Sequence, residues 1–419
     1  MIEDLEPLLA AWMPRQRWYS TKNLVPRITA LDVEEVGRAD GVSVLRAVVC
    51  DEAGGDPVVY QVPLTLRPGT ADIPAAALVG RTTAGLVHDG CADPAYAAWL
   101  LGRTSPGLRL LAARVLSGEQ SNTSIICDVA DEAGGTTVIA KVFRVLADGS
   151  NPDIELQEAL SRAGTLRVPR FLGSLRGSWR RGGSDESGDL AVVQEFIAGA
   201  QDAWRVALEC LRTGAPFDAT SLGAATAEVH HLLATEFGTR EAGERDRTDL
   251  LGQWRERAAL AADAVPALSP LLGRAAEVYR RAAAAAWPPL QRVHGDYHLG
   301  QVIHAPGRGW VLLDFEGEPL RPLAQRRLPD LALRDLAGML RSFDYAAASA
   351  GGTVAEAWAD SVRREFLDGY AGAAGDPRDH AALLAALELD KALYEAVYEA
   401  RNRPDWLRIP LAAVERLLL

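Results

Sequence analysis

The chain has 419 residues, 48% of them hydrophobic and 24% charged, a composition that excludes a disordered or fibrous protein. At roughly 150 residues per domain, its length predicts two or three domains and excludes a minimal binding module. Its net charge of −12 argues against nucleic acid and anionic membranes as partners, because proteins that bind either of them have a surplus of Lys and Arg. A small-molecule substrate is therefore favoured.

The N-terminal segment has acidic residues before its short apolar run and lacks the basic start and cleavage site of a signal peptide. No apolar stretch reaches the roughly 20 residues that span a bilayer. The four cysteines form no CxxC pair, which fits neither a zinc site nor a dense disulfide framework. The sequence therefore predicts a cytoplasmic protein.

Strands are predicted first along the chain. Residues 27–67 alternate apolar and polar side chains between Gly, Asp and Pro, a pattern typical of strands and hairpins. Residues 92–102 are predicted to form a helix, and the segment GRTSPG at 102–107 to form a linker. We therefore expect a β-rich N-terminal domain over residues 1–105.

Two further regions follow. Residues 106–199 are predicted to form strands and one helix over 151–163, with Asn151 as its N-cap and Pro152 at its first position. Residues 200–419 have a dominantly helical pattern, broken by one polar segment, RVHGDYHLGQVIHAPGRGWVLLDFEGEP. These patterns predict a mixed lobe followed by a helical lobe that carries the densest cluster of polar residues.

The spacing of residues in that cluster indicates phosphoryl transfer. Asp296 is followed five residues later by an amide, Gln301, and Asp314 stands at the end of the strand WVLLD. Protein kinases have their catalytic Asp, metal-binding Asn and metal-binding Asp in this order. The pattern predicts Asp296 as the catalytic residue and Gln301, Asp314 and Glu316 as ligands of Mg²⁺.

The mixed lobe has the features of an ATP cradle. Lys141 is one of only three lysines in the chain, and it ends a strand, where a kinase lysine contacts phosphates. Either Glu155 or Glu158 on the next helix is its expected partner. Glu195 and Ile197 stand where a kinase hinge offers backbone groups to adenine. A turn rich in small and hydroxyl side chains is suited to cover phosphates, and its nucleotide-binding candidates are Gln120, Ser121, Asn122, Thr123 and Ser124.

Several segments together resemble a known family, the actinobacterial maltokinases and their glucosamine-kinase relatives. These segments are RQRWYSTK, GEQSNTS, the strand lysine, HGDYHLGQV, DFEGEP, RDLAGMLRSFDYAA and YEAVYEARNRPDW. The resemblance covers nearly the whole chain. It implies an α+β, protein-kinase-like bilobal fold with a β-rich N-terminal cap domain, with ATP bound at the hinge and a sugar in the helical lobe.

Within that family, Tyr297 and the length of the chain favour a glucosamine kinase that forms glucosamine 6-phosphate. The alternative is a maltokinase that forms maltose 1-phosphate. Either a monomer or a homodimer is expected.

The sugar site is predicted on a C-terminal helix, where Lys391, Glu395, Glu399 and Arg403 follow one another at i,i+4 spacing. Two interpretations remain open. The residues form a solvated salt-bridge ladder, or the carboxylates bind the hydroxyls and ammonium of an amino sugar beside aromatic rings. The second interpretation assigns the substrate to Glu395 and Glu399 beside the rings of Tyr394, Tyr398 and Trp406. Asp296 and His298 are further substrate candidates, although His298 fits a purely structural role in its loop equally well.

A metal-dependent hydrolase is the alternative from another class, because the cluster is rich in potential ligands: His294, Asp296, His298, Asp314 and Glu316. Lys141 and the hydroxyl-rich turn argue for the kinase, since a hydrolase needs no nucleotide cradle. A pseudokinase is disfavoured because the lysine and the metal ligands are retained. His294 and Asp335 are assigned structural roles, the first in packing and the second in bonding to the loop's backbone.

Overall fold

The structure, a computed structural model, describes residues 5–39, 41–69, 73–116, 122–132, 134–318 and 321–418. These residues fall into two compact units. The first unit contains the described residues up to Glu155 together with Arg170–Phe196. The second unit contains Leu156–Pro169 and the described residues from Ile197 onward. Among the described residues, no helix is both long enough and apolar enough to cross a bilayer.

The first unit begins with a short helix, α1 (Leu5–Trp12), followed by a sheet of antiparallel strands, which we call the first sheet. Its strands include β1 (Ile28–Ala39), β2 (Val42–Asp51), β3 (Val58–Arg67), β4 (Leu78–Thr82) and β5 (Gly85–Asp89). The strands pair in the order β1-β2-β3-β5-β4. Trp12, Trp18 and Tyr60 pack together in its apolar core. The strands predicted from the alternation over residues 27–67 are confirmed.

The same unit contains a second antiparallel sheet. The elements in this part of the chain are α2 (Pro94–Thr104), β6 (Arg109–Val115), β7 (Asn122–Asp131), β8 (Gly134–Phe143), β9 (Val145–Leu146), α3 (Pro152–Arg162), β10 (Phe171–Arg181) and β11 (Ser184–Glu195). Helix α3 begins in the first unit and continues into the second from Leu156 onward. The order is β10-β11-β8-β7-β6, and β9 pairs with β3 of the first sheet. The Asn151 side chain accepts the Asp153 N–H at 2.9 Å and so caps α3 as predicted. The predicted linker is partly wrong, because α2 continues to Thr104.

The second unit is mainly helical. Its elements are β12 (Gln201–Asp202), α4 (Ala203–Thr213), α5 (Ala219–Phe237), β13 (Thr239–Arg240), α6 (Glu244–Ala264), α7 (Leu272–Ala284), β14 (Leu290–Gln291), β15 (Val302–Ala305), β16 (Gly309–Leu312), α8 (Leu323–Arg326), α9 (Leu333–Ala350), α10 (Thr353–Ala373), α11 (Ala381–Asn402) and α12 (Arg408–Leu418). Helices α5 and α10 approach backbone to backbone. A Cβ on Gly223 would lie 2.0 Å from the Phe366 carbonyl oxygen, so only glycine fits there.

The hairpin of β15 and β16 positions the polar cluster. Val302 pairs with Leu312 at its open end, and the Leu313 N–H donates to the Gln301 carbonyl at 2.9 Å. The loop before β15 and the acidic segment after β16 therefore lie side by side.

Candidate active site

The loop that carries Asp296 is held by one buried carboxylate. Asp335, in the first turn of α9, is 1% exposed and accepts the backbone N–H groups of His294 at 2.8 Å and Gly295 at 2.9 Å. His230 Nε2 lies 2.9 Å from the same carboxylate. Burial alone would raise the pKa of Asp335. The combined effect of His230, His294 and the backbone hydrogen bond from Gly295 is larger and opposite, so the pKa of Asp335 lies below its usual value. The structural role predicted for Asp335 is confirmed.

His294 also stabilises the loop, through one hydrogen bond and through ring packing. It is buried, and its Nε2 lies 2.8 Å from the Leu313 carbonyl oxygen. Its ring packs against Phe315 and Tyr297, with centroids 4.7 and 5.2 Å away. Tyr297 in turn shares a 2.8 Å hydrogen bond with Thr226. The packing role predicted for His294 is therefore confirmed.

Asp296 is partnered by a lysine from a distant part of the chain. The Nζ of Lys391, on α11, donates to Asp296 Oδ1 at 3.2 Å and lies 5.1 Å from the centre of the Tyr394 ring. His298 Nε2 lies 4.0 Å from the other carboxylate oxygen. Burial alone would raise the pKa of Asp296, but Lys391, followed by His298 and His294, lowers it below its usual value. Asp296 is therefore ionised near neutral pH and able to accept a proton.

Gln301 and Asp314 meet at the end of the hairpin. Gln301 Nε2 donates to Asp314 Oδ2 at 3.3 Å. In the described part of the chain, Asp314 is the one residue other than glycine with a positive φ, at 63°. Such a conformation costs free energy and is frequent where a fold holds a functional side chain in place. Glu316 follows in the same segment and is half-buried. Amide and carboxylate oxygens of this kind are ligands suited to a hard cation such as Mg²⁺.

Lys141 lies in the first unit beside an acid that the sequence did not single out. Its Nζ donates at 3.2 Å to Asp153, which is buried in the first turn of α3. The sequence prediction named Glu155 or Glu158 as the partner. Asp153 therefore joins the candidates for holding the Lys141 ammonium in place.

The structure describes part of the turn that was predicted to cover the nucleotide phosphates, which we call the nucleotide turn. Asn122, Thr123 and Ser124 are the first residues of β7, and Ser124 lies opposite Lys141 in the β7–β8 ladder. Gln120 and Ser121 lie outside the described residues. The residues at the end of this turn, Asn122 to Ser124, therefore lie beside Lys141 on the neighbouring strand.

The predicted hinge lies where the chain leaves the first unit. Glu195 ends β11, its N–H donates to the Arg170 carbonyl at 2.9 Å, and its side chain accepts the Arg170 N–H at 3.0 Å. Ile197 is the first residue of the second unit's main segment. The chain therefore passes between the two units within the segment that was predicted as a hinge.

Glu395 on α11 is engaged by a buried arginine. Its Oε2 accepts Nε and Nη2 of Arg341 at 2.9 and 2.7 Å, and the Arg341 side chain is 1% exposed. The helix therefore does not form the solvated ladder: Lys391 turns to Asp296, and Glu395 turns to Arg341.

Glu399 and Trp406 form a second cluster near the end of α11. Glu399 is buried and accepts Nε and Nη2 of Arg403 at 2.9 and 2.7 Å and the Tyr345 hydroxyl at 3.1 Å. The Trp406 ring stacks on Tyr345, with a centroid distance of 6.3 Å. Only the Glu399–Arg403 pair of the predicted ladder forms within the described residues of this helix.

A cavity of 860 Å³ lies beside α6 and α11, and its lining includes Arg257, Glu318 and Tyr394. A narrow crevice shares Arg257 and Glu318 with this cavity and reaches Asp296 and Lys391. The volume is in the range typical of small-molecule sites. The cavity therefore offers space for a substrate close to the ionised Asp296.

Two family models match the chain. Residues 12–93 match the maltokinase N-terminal cap domain, and residues 112–375 match the phosphotransferase enzyme family. The chain belongs to the phosphotransferase enzyme family. The predicted family and the predicted enzyme class are confirmed, and the family match favours phosphoryl transfer over the hydrolase alternative.

Relatives of this phosphotransferase are similar over most of its length. A glucosamine kinase of Streptacidiphilus jiangxiensis is 28% identical over 415 residues, covering 92% of this chain and 90% of the relative. A glucosamine kinase of Mycolicibacterium smegmatis is 28% identical over 333 residues, covering 73% and 79%. A solved glucosamine kinase in complex with glucosamine, ADP and inorganic phosphate has a TM-score of 0.67 at 24% identity, with 100% of both chains covered. The predicted kinase-like fold with an N-terminal cap is confirmed.

Proposed function

We propose that this phosphotransferase transfers the γ-phosphoryl group of ATP to glucosamine and forms glucosamine 6-phosphate. The observation that carries the proposal is the position of Asp296, which is paired with Lys391 in a crevice that shares Arg257 and Glu318 with a cavity of 860 Å³. Asp296 is also close in the chain to the Gln301–Asp314 pair. This arrangement supplies a proton acceptor, candidate metal ligands and space for an acceptor molecule. The predicted division into a cap over 1–105 and lobes over 106–199 and 200–419 is part of the proposal.

The proposed chemistry needs one proton transfer and one phosphoryl transfer. Asp296 accepts the proton of the sugar hydroxyl as that oxygen bonds to the γ-phosphorus, and the bond to the β-phosphate oxygen breaks to release ADP. Gln301, Asp314 and Glu316 offer ligands for Mg²⁺, which when bound supplies positive charge to the β- and γ-phosphates. Lys391 keeps Asp296 ionised and restricts the orientation of its carboxylate.

The nucleotide is assigned to the first unit and the hinge. Lys141, with Asp153 as its neighbour, supplies a cation for the phosphates, and backbone groups near Glu195 and Ile197 are available to adenine. The turn that ends at Asn122 covers the phosphates through its N–H groups. Its remaining predicted contacts are Gln120, Ser121, Thr123 and Ser124, with Glu155 on α3.

The sugar is assigned to the cavity beside Asp296. Tyr394 lines it and offers an aromatic face, and Glu318 is a buried acid shared by the cavity and the crevice. Glu395 and Glu399 each accept two close hydrogen bonds from an arginine, at 2.7 and 2.9 Å. Glu318 has a looser ion pair, with Arg257 Nη1 at 3.6 Å, so we propose that Glu318 contributes more directly to recognition of the ammonium. Contacts of the sugar with His298 and Trp406 stay predictions.

The test is transfer from ATP with Mg²⁺ to a panel of glucosamine, glucose, maltose and N-acetylglucosamine, with the phosphorylated position determined by NMR. We expect glucosamine 6-phosphate. Exclusive formation of maltose 1-phosphate would establish the second candidate, a maltokinase, which the cap-domain match over residues 12–93 favours. Hydrolysis of ATP without any sugar phosphate would contradict both.

Substitution of Glu318 tests how the amino group is recognised. Glu318→Gln removes a charge but keeps size, and Arg257 retains its contact with Asp390 at 3.2 Å. A hydrogen bond to a charged group contributes about 1.5–3 kcal/mol, so the glucosamine-to-glucose ratio of kcat/KM is expected to fall by about ten- to a hundredfold. The matched control is Glu256→Gln, an exposed acid of the same cavity, which leaves the ratio unchanged. A loss of selectivity in Glu395→Gln but not in Glu318→Gln would assign the ammonium to α11 instead.

The pH profile tests the role of Lys391. In Lys391→Met, burial acts on Asp296 without the nearest opposing charge, so the pKa of Asp296 rises although His294 and His298 remain close. A base works only above its pKa, and the acid limb of the kcat profile is therefore expected to move to higher pH, with kcat lowered by up to about 10²-fold. Lys22→Met, at an exposed lysine, is the control and leaves the profile unchanged. An unmoved acid limb in Lys391→Met would refute the electrostatic role.

A further inference from the structure

A buried arginine connects the first sheet to the strands that carry the predicted nucleotide contacts. Arg144 directly follows β8, three residues after Lys141, and its side chain is 0% exposed. We propose that Arg144 is a positioning residue through which Asp89 of the first sheet sets the geometry of β7 and β8 for nucleotide binding. This inference rests on the proposed function, because it concerns the same nucleotide site.

On the side of the first sheet, Arg144 is fixed by a carboxylate and an aromatic ring. Its Nη2 donates to both oxygens of Asp89, the last residue of β5, at 2.9 and 2.8 Å. Its guanidinium carbon lies 4.8 Å from the centre of the Trp18 ring. A guanidinium is always charged, so at a buried site it depends on this carboxylate. Movement of Asp89 therefore moves Arg144.

On the side of the second sheet, the same guanidinium reaches the end of the nucleotide turn. Nε of Arg144 donates to Thr123 Oγ1 at 2.8 Å. Thr123 lies opposite Val142, and the next residue, Ser124, lies opposite Lys141. One side chain therefore contacts β7 while its backbone continues β8, so it restrains the register of the two strands next to the strand lysine.

A backbone contact couples the same two regions. Gln61, on β3 of the first sheet, donates its N–H to the Arg144 carbonyl at 2.8 Å. Its side-chain Nε2 donates to the carbonyls of Phe143 and Leu190, both at 2.9 Å. Since Phe143 ends β8 and Leu190 lies on β11, the first sheet is bonded to two strands of the second. Gln61 contacts β8 and β11, and Arg144 adds a contact with Thr123 on β7.

The test compares three variants of the full chain. Asp89→Asn removes the charge that holds Arg144, and Arg144→Lys keeps the charge but loses the fork that reaches Asp89 and Thr123 together. The matched control is Arg67→Lys, since Arg67 forms an equivalent two-bond contact with the buried Asp93 at 2.7 and 2.6 Å in the same unit. Affinity for ADP by calorimetry, KM for ATP and for the sugar, and the Tm are measured for each variant.

We expect Asp89→Asn and Arg144→Lys to weaken ADP binding and to raise KM for ATP by about 5- to 150-fold, the usual range for coupled sites, while KM for the sugar stays within about twofold. Arg67→Lys lowers the Tm without changing affinity for ADP. Unchanged ADP affinity in folded Arg144→Lys, or an equal loss in Arg67→Lys, would overturn the inference. Should Asp89→Asn fail to fold, Arg144→Lys decides alone. Absence of ADP binding by the unaltered protein would instead reject the proposed function.

Discussion

Asp296→Asn is expected to lower kcat by about 10²–10⁴ while leaving ADP affinity and the Tm close to those of the unaltered protein. The amide keeps the size of the carboxylate but cannot accept the proton of the sugar hydroxyl. Because Lys391 Nζ lies 3.2 Å from Oδ1, the variant also loses the charge partner of the lysine without creating a cavity. Steady-state kinetics at saturating ATP and sugar measure kcat, calorimetry measures the affinity for ADP, and thermal unfolding measures the Tm.

Asp360→Asn is the matched control for this substitution, because Asp360 is an exposed aspartate on α10 of the same unit. Its kcat should equal that of the unaltered protein. A kcat of Asp296→Asn within tenfold of the unaltered value would rule out Asp296 as the proton acceptor. A large loss of ADP affinity in Asp296→Asn would indicate that the residue acts mainly in nucleotide binding.

The parts of the fold and site that the sequence predicted well depend on short-range patterns. Alternation over residues 27–67 predicts β1 to β3 because a strand exposes and buries successive side chains. The order of Asp296, Gln301 and Asp314 is equally local, since one hairpin of adjacent strands joins the loop to the acid. Such spacing can be recognised in the sequence without any knowledge of the tertiary structure.

The contacts that the sequence could not predict join distant residues. Lys391 and Asp296 are 95 positions apart, so their pairing depends on how the loop before β15 packs against α11. Glu395 and Arg341 are 54 positions apart, and their pairing depends on how α9 and α11 pack. The i,i+4 spacing on α11 is correct as helix geometry, and Glu399 does pair with Arg403. For Lys391 and Glu395, however, oppositely charged residues elsewhere in the fold replace the neighbours on the helix. For Lys391, the one available signal was the scarcity of lysine in the chain.

The contact between Asp153 and Lys141 was also not predicted, because it depends on which face of α3 is turned toward Lys141. The acids at 153, 155 and 158 all lie on α3, and the sequence does not show which of them faces the strand that carries Lys141. The fold brings Asp153, in the first turn of the helix, within 3.2 Å of the Lys141 Nζ.

Asp314→Asn is expected to abolish the dependence of nucleotide affinity on Mg²⁺ and to lower kcat by at least about 10²-fold, because one carboxylate ligand of the cation is lost. Asn is the informative replacement, since the backbone at this position has a φ of 63° and Asn tolerates the left-handed region better than most residues. Its side-chain oxygen can still accept the Gln301 Nε2–H. The loss is therefore attributable to the charge. ADP affinity is measured by calorimetry with Mg²⁺ and with EDTA.

Two further replacements of Asp314 separate metal binding from backbone strain. Asp314→Gly removes the ligand but adopts a φ of 63° without penalty, whereas Asp314→Ala removes the ligand and strains the backbone. Both should lose the dependence on Mg²⁺, and Asp314→Ala should have the lower Tm of the two. If Asp314→Asn binds ADP with the same enhancement by Mg²⁺ as the unaltered protein, Asp314 is not a ligand of the cation, and the positive φ must then serve the packing of Phe315 against His294 instead.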